Sequence, residues 1–152
     1  SIKDLLYLAE RRVLAGTSVF YPSPGSKDYS LCASLGLLPQ DFSGMRSSAL
    51  PISHSTTRKE SVTLLRLSRI INFMKSLIDS GLSLPDPAPA TDCITNPNDR
   101  NNTGRQLLQF FLYDGIIRGV SAGGEVFEHE IYLELCKKFL AGIKSIRIRG
   151  CK

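Results

Sequence analysis

Residues 57–81, TRKESVTLLRLSRIINFMKSLIDSG, constrain this chain more than any other stretch. Thr57 is followed three residues later by Glu60, a capping box in which each side chain satisfies a backbone N–H left open at a helix start. Leu64, Leu67, Ile71, Met74 and Ile78 then recur three and four apart, the spacing that lines one face of an α-helix. Leu65 and Phe73 widen that stripe, so neighbours are expected on more than one side. Gly81 follows directly, where a left-handed residue closes a helix. Arg58, Lys59, Arg66, Arg69 and Lys75 lie mostly off the stripe. They read as a solvated basic face, or as one that meets phosphate or an acidic partner.

At 152 residues the chain is long enough for one helical domain with a real core, and its 42% hydrophobic and 22% charged residues are ordinary for a soluble globular protein. No apolar run approaches the roughly 18 residues of a membrane span. Lys3, Asp4, Glu10, Arg11 and Arg12 interrupt what would otherwise be a signal peptide. The chain opens on Ser1 rather than Met, as a processed or trimmed chain does, and a removed targeting segment would leave no trace. Cys32, Cys93, Cys136 and Cys151 are widely spaced, with no CxxC pair and no adjacent His. They spell neither a zinc site nor a disulfide framework, which favours a reducing intracellular compartment. The net charge of +5 is uneven: residues 57–81 carry five basic and two acidic groups, and residues 131–152 six and one. Clustering of that kind suits RNA, DNA or an acidic protein surface.

Along the rest of the chain, residues 1–15 read as a first helix, capped by Ser1 and Asp4 and ended by Gly16. Leu5, Leu6, Leu8, Val13 and Leu14 supply its apolar side. A Pro/Gly loop follows, with Val19, Phe20 and Tyr21 as an apolar anchor. Residues 28–38 form a short helical turn with Leu31, Leu35 and Leu38 on one side, and Pro39 starts another through Phe42 and Met45 until Pro51. Residues 82–102 are rich in Pro and Asn and lack apolar periodicity, so they read as a linker or a surface-draped loop. Thr103 and Gln106 repeat the capping logic for a third long helix, apolar nearly all round and expected to be the most buried. Asp114–Gly115 inside it suggests a kink or a close helix crossing, and residues 118–124 a tight turn between helices. A final helix is expected over 125–143, with Phe127, Ile131, Leu135 and Phe139 in four-residue steps and Glu134 paired with Lys138. Beyond it, Ile146 and Ile148 alternate with Arg147 and Arg149, which fits a short C-terminal edge strand or a basic tail. The expected fold is mainly α, four to six helices with at most a small β element.

Chemistry-bearing patterns are sparse. Glu125 and His129 stand four apart, which is ligand spacing on a helix, but HExxH is absent and a surface histidine is the better account. His54 in SHS stands where it would pair with a hydroxyl nucleophile, but a hydroxyl-rich loop before a helix is the commoner account. GVSAGGE precedes the expected last helix but does not match a phosphate-binding loop. No cofactor or metal is implied.

One resemblance is carried by DYSLCASLGLLPQDF followed by RLSRIINFMKSLIDSG. Through Leu31, Cys32, Leu35, Leu37, Pro39 and Phe42, then Ile70, Phe73 and Gly81, this resembles the SWIRM domain. It covers about a third of the chain and leaves residues 85–152 unaddressed. The resemblance implies a chromatin-associated, DNA-binding helical module. From charge and pattern alone the expectation is different: a non-catalytic interaction or structural subunit of a larger assembly, partnered by other proteins and in a ribonucleoprotein by RNA. Its docking residues are Arg66, Arg69, Lys144, Arg147, Arg149 and Lys152. An enzyme assembled from His54, His129 and Asp114 is the remaining alternative.

Overall fold

The computed structural model describes residues 1–18, 21–41 and 52–152. In chain order these form α1 (Ile2–Ala9), α2 (Lys27–Ser34), α3 (Arg58–Asp79), α4 (Arg100–Asp114), β1 (Arg118–Val120), β2 (Val126–Glu128) and α5 (Leu133–Ile143). The protein is mainly α with one small antiparallel β element. The short helix expected from Pro39 to Pro51 lies outside the described residues beyond Asp41, as do Val19 and Phe20.

α3 is the centre of this arrangement. Thr57 and Glu60 close the capping box, the Glu60 carboxylate accepting from the Thr57 N–H at 2.8 Å and the Thr57 hydroxyl from the Glu60 N–H at 3.2 Å. Its far end is a Schellman turn: Gly81 at φ 74° lets its own N–H reach Ile78 and that of Leu82 reach Leu77. Between these ends Leu67, Ile71 and Met74 of the stripe read from spacing are buried and face the core, while Leu64 and Ile78 are half-buried and Leu77, outside that stripe, is buried beside them. α1 and α5 pack on that stripe and on each other. Leu5 and Ala9 of α1 meet Cys136, Phe139, Leu140 and Ile143 of α5, and Phe111 of α4 tilts against Phe139 at 6.1 Å. α5 passes close enough to α1 that a Cβ on Gly142 would strike Leu6.

Beside its apolar stripe α3 carries a second, polar line: Ser68, Asn72, Lys75 and Asp79, again four, three and four apart. These side chains bind irregular segments rather than solvent, Asn72, Lys75 and Asp79 through backbone groups and Ser68 through a hydroxyl. Asn72 takes the Ala15 N–H at 2.8 Å and donates to the Ala15 carbonyl at 3.0 Å, and Ser68 meets Thr17 at 2.7 Å. Lys75 is fully buried, its three N–H bonds directed to the carbonyls of Ala9, Arg11 and Arg149. Asp79 accepts the backbone N–H groups of Cys151 and Lys152 at 3.0 Å each.

That polar line explains why α1 stops early. The expected helix over 1–15 ends at Ala9, because the carbonyls of Ala9 and Arg11 turn toward the Lys75 ammonium and the Arg149 N–H also bonds Ala9. Val13 and Leu14, counted on the helix's apolar side, are consequently exposed. Leu31 of α2 and Leu35, which caps its C-terminal end, are exposed too, and Cys32 is the buried residue of that helix.

Four further expectations give way. α4 starts at Arg100 rather than Thr103, because the Asp99 side chain caps it through the Asn102 N–H at 3.0 Å. It is not the most buried helix, since Tyr113 is exposed and Leu107 and Leu112 are half-buried. Gly115 does not kink α4; it ends it, at φ 77°. Finally, residues 125–132 are not helical. Arg118, Gly119 and Val120 pair with Glu128, Phe127 and Val126, making a hairpin where a helix–helix turn was expected. α5 therefore begins at Leu133, Phe127 is exposed, and Glu134 reaches Lys137 at 3.8 Å rather than Lys138.

Residues 82–99 are draped, not free. Ala88 donates to the Gln109 carbonyl, Gln109 to the Asp86 carbonyl and Arg105 to that of Ser83, tying the segment along α4. Further on, Ile94 N–H to Gly124 and Val126 N–H to Asp92, both 2.8 Å, lay residues 92–94 beside β2. Gly124 is required there: its φ is 91° and a Cβ would meet the Ile94 carbonyl at 2.7 Å. The last residues take the tail form, not the strand. Ile146 and Ile148 pack on the core and Arg147 and Arg149 face outward, without ladder pairing.

Candidate functional site

Basic residues of the tail converge with one from the first turn region. Arg147, Arg149 and Lys152 line a cleft of about 440 Å³ together with Arg12, Ile78 and Asp79. Arg12 is there because its guanidinium donates to the Lys152 carbonyl at 2.9 Å. Asp79 is the carboxylate lining this cleft, and two backbone N–H groups occupy its oxygens. Those hydrogen bonds, from Lys152 and then Cys151, hold its pKa below the usual 3.8, so it stays ionised and pinned to the tail. Among the described residues no carboxylate lies within ion-pair distance of Arg147, Arg149 or Lys152. The cleft thus presents outward cations on a backbone fixed by α3. Lys144, at the end of α5, is exposed but lines no part of it. Sequence reading missed Arg12, because nothing local joins it to residues 140 positions away.

Arg66 and Arg69 are separated by the packing of α3. Arg66 is half-buried in a depression of about 430 Å³ shared with Arg58, Lys59, Val62 and Glu130, and its Nε is buried without a hydrogen-bond partner among the described residues. Burial, and then the charge of Arg69, push its pKa down. Lys59 in the same depression pairs with Glu130 at 3.3 Å. Arg69 instead opens onto a different, apolar cavity of about 190 Å³ between α3 and α4, lined by Ile70, Phe73, Leu107, Phe111 and Ile117. Arg118 borders the same cavity and is fixed there by Asp114 at 2.8 and 2.9 Å and Glu128 at 3.0 Å. The Asp114 carboxylate raises its pKa above the ordinary arginine value.

The residues weighed for catalysis each have a separate neighbour. His54 meets Asp28 at 3.0 Å, on an exposed loop whose Ser53 hydroxyl turns to Ser55 and Thr56. Asp114 is bound to Arg118. His129 lies edge-on to Phe127 at 5.0 Å, and burial together with the nearby Arg66 charge pushes its pKa below 6.5. Glu125 and His129 flank a strand, so the helical spacing that would have made them joint ligands does not arise. Among the described residues no three His, Cys, Asp or Glu side chains gather as a metal-ligand set. The four cysteines are free; Cys136 is buried, its thiol pushed up to about 11 by desolvation, which leaves it protonated and inert. No helix among the described residues is long and apolar enough to cross a membrane. No family model, curated protein or solved structure matches this chain.

Proposed function

We propose that this chain is a non-catalytic interaction subunit of a larger macromolecular assembly, docking through its basic surfaces, with ribonucleoproteins among the candidate assemblies. The observation that carries the reading is the tail: Arg147, Arg149 and Lys152, without an ion-pair partner among the described residues, extend from a backbone that Lys75 and Asp79 hold in place. Ordered backbone under free charge lowers the entropy lost when an anionic surface is met. The chromatin-type DNA module has weaker support, because α3 is the central helix, its Lys59 is paired and its Arg66 is half-buried.

The test is binding to generic RNA, duplex DNA and polyglutamate across a salt series. At least one of these polyanions is expected to bind, with log affinity falling linearly in log salt. For a nucleic acid, the double substitution Arg147→Ala, Arg149→Ala should flatten that slope by roughly 1.4 to 1.8, two phosphate contacts' worth. If none of the three binds at low salt, docking through basic surfaces is wrong.

A further inference from the structure

The cavity between α3 and α4 adds a second determinant to the docking reading, and the inference rests on that reading. We infer that it receives a leucine or phenylalanine side chain of a partner protein whose flanking residues are acidic. Its volume of about 190 Å³ exceeds the roughly 150 Å³ that suffices for benzene in an apolar protein cavity, so one such side chain fits. Ile70, Phe73, Leu107 and Ile117 give it apolar walls, and it is half-open, so a side chain enters while the partner's backbone stays outside. A nucleobase in the same place would bury its polar edge against these walls without hydrogen bonds, a penalty that an apolar side chain does not meet.

The two cations at the cavity differ. Arg118 is neutralised by Asp114 and Glu128. Arg69 is exposed, and among the described residues no carboxylate lies within ion-pair distance of it. An apolar anchor beside an acidic residue therefore satisfies both features of the site, the arrangement in which a few pocket-filling residues dominate binding.

The probe is the capped peptide Ac-Asp-Glu-Phe-Glu-Asp-amide, titrated into the isotope-labelled full chain and followed by NMR. Saturable shifts are expected at the amides of Ile70, Phe73 and Leu107. Replacing the peptide's Phe by Ala should weaken binding by about tenfold or more. Arg69→Gln, an exposed substitution that leaves the fold intact, should weaken it by about fivefold and reduce its salt dependence. Leu107→Trp, which fills the cavity, should abolish binding. The inference is overturned if these amides do not shift, if the Ala peptide binds equally well, or if adenosine monophosphate occupies the cavity more tightly than the peptide. Should the peptide fail while polyanion binding still depends on Arg147 and Arg149, only the cavity assignment falls; if both fail, the docking reading falls with it.

Discussion

Lys75 is the residue whose environment departs furthest from its type. An ammonium removed from water must have its donors satisfied, and three backbone carbonyls do this while burial pushes its pKa down. Lys75→Met keeps the apolar stem and leaves the carbonyls of Ala9, Arg11 and Arg149 without that donor. A loss of about 2–4 kcal/mol in urea-denaturation stability is expected, and a loss under 1 kcal/mol would show the clamp to be dispensable. His129 is the second such residue. Its folded pKa is depressed, so below 6.5 the unfolded chain binds more protons than the folded one. Stability should accordingly fall as pH drops through that value toward the folded pKa. The urea midpoint measured between about pH 7 and pH 5 should show this, and His129→Phe should flatten the dependence. An unchanged dependence would mean that other groups control it.

Among the elements, α3 owes its bounds to its own ends. Thr57→Ala removes a cap from the Glu60 N–H and should lower stability by about 1 kcal/mol. Gly81→Ala meets no neighbouring atom yet forces a Cβ onto a φ of 74°, so a similar loss of about 1 kcal/mol is expected from backbone strain alone. Thermal denaturation of the two single variants separates these effects. The hairpin shows the opposite case. Its sequence, RGVSAGGEVFEHE, carries acidic residues and Phe127, the first of the apolar four-residue steps through Ile131, Leu135 and Phe139, and so reads as a helix start. What makes it β is pairing of β2 with β1 on one side and with residues 92–94 on the other, neither visible in a local window.

For the whole molecule, the polar line of α3 is the joint between distant segments. Ser68 and Asn72 hold residues 15–17, Lys75 holds Ala9, Arg11 and Arg149, and Asp79 holds Cys151 and Lys152. Hydrogen exchange offers a direct check. The amides of Arg149, Cys151 and Lys152 should exchange more slowly than that of Arg147, and Asp79→Ala should release Cys151 and Lys152 while leaving Arg149, bonded to Ala9, protected. Uniformly fast exchange over these residues would mean that the tail is not held, and the proposed docking surface would lose its ordered backbone.

What the sequence alone determined was local: both ends of α3, the cap at Ser1, the apolar stripe through Leu67, Ile71 and Met74, and the alternation of Ile146 and Ile148 with Arg147 and Arg149. Caps and periodicities are written within a few residues of where they act, so they survive without knowledge of the rest. Tertiary structure decided the remainder: that α1 stops at Ala9, that 118–128 is a hairpin, that Lys75 is interior, and that Arg12 joins the tail. Each of those outcomes depends on hydrogen-bond partners or burial supplied by other segments, so no local pattern could announce it.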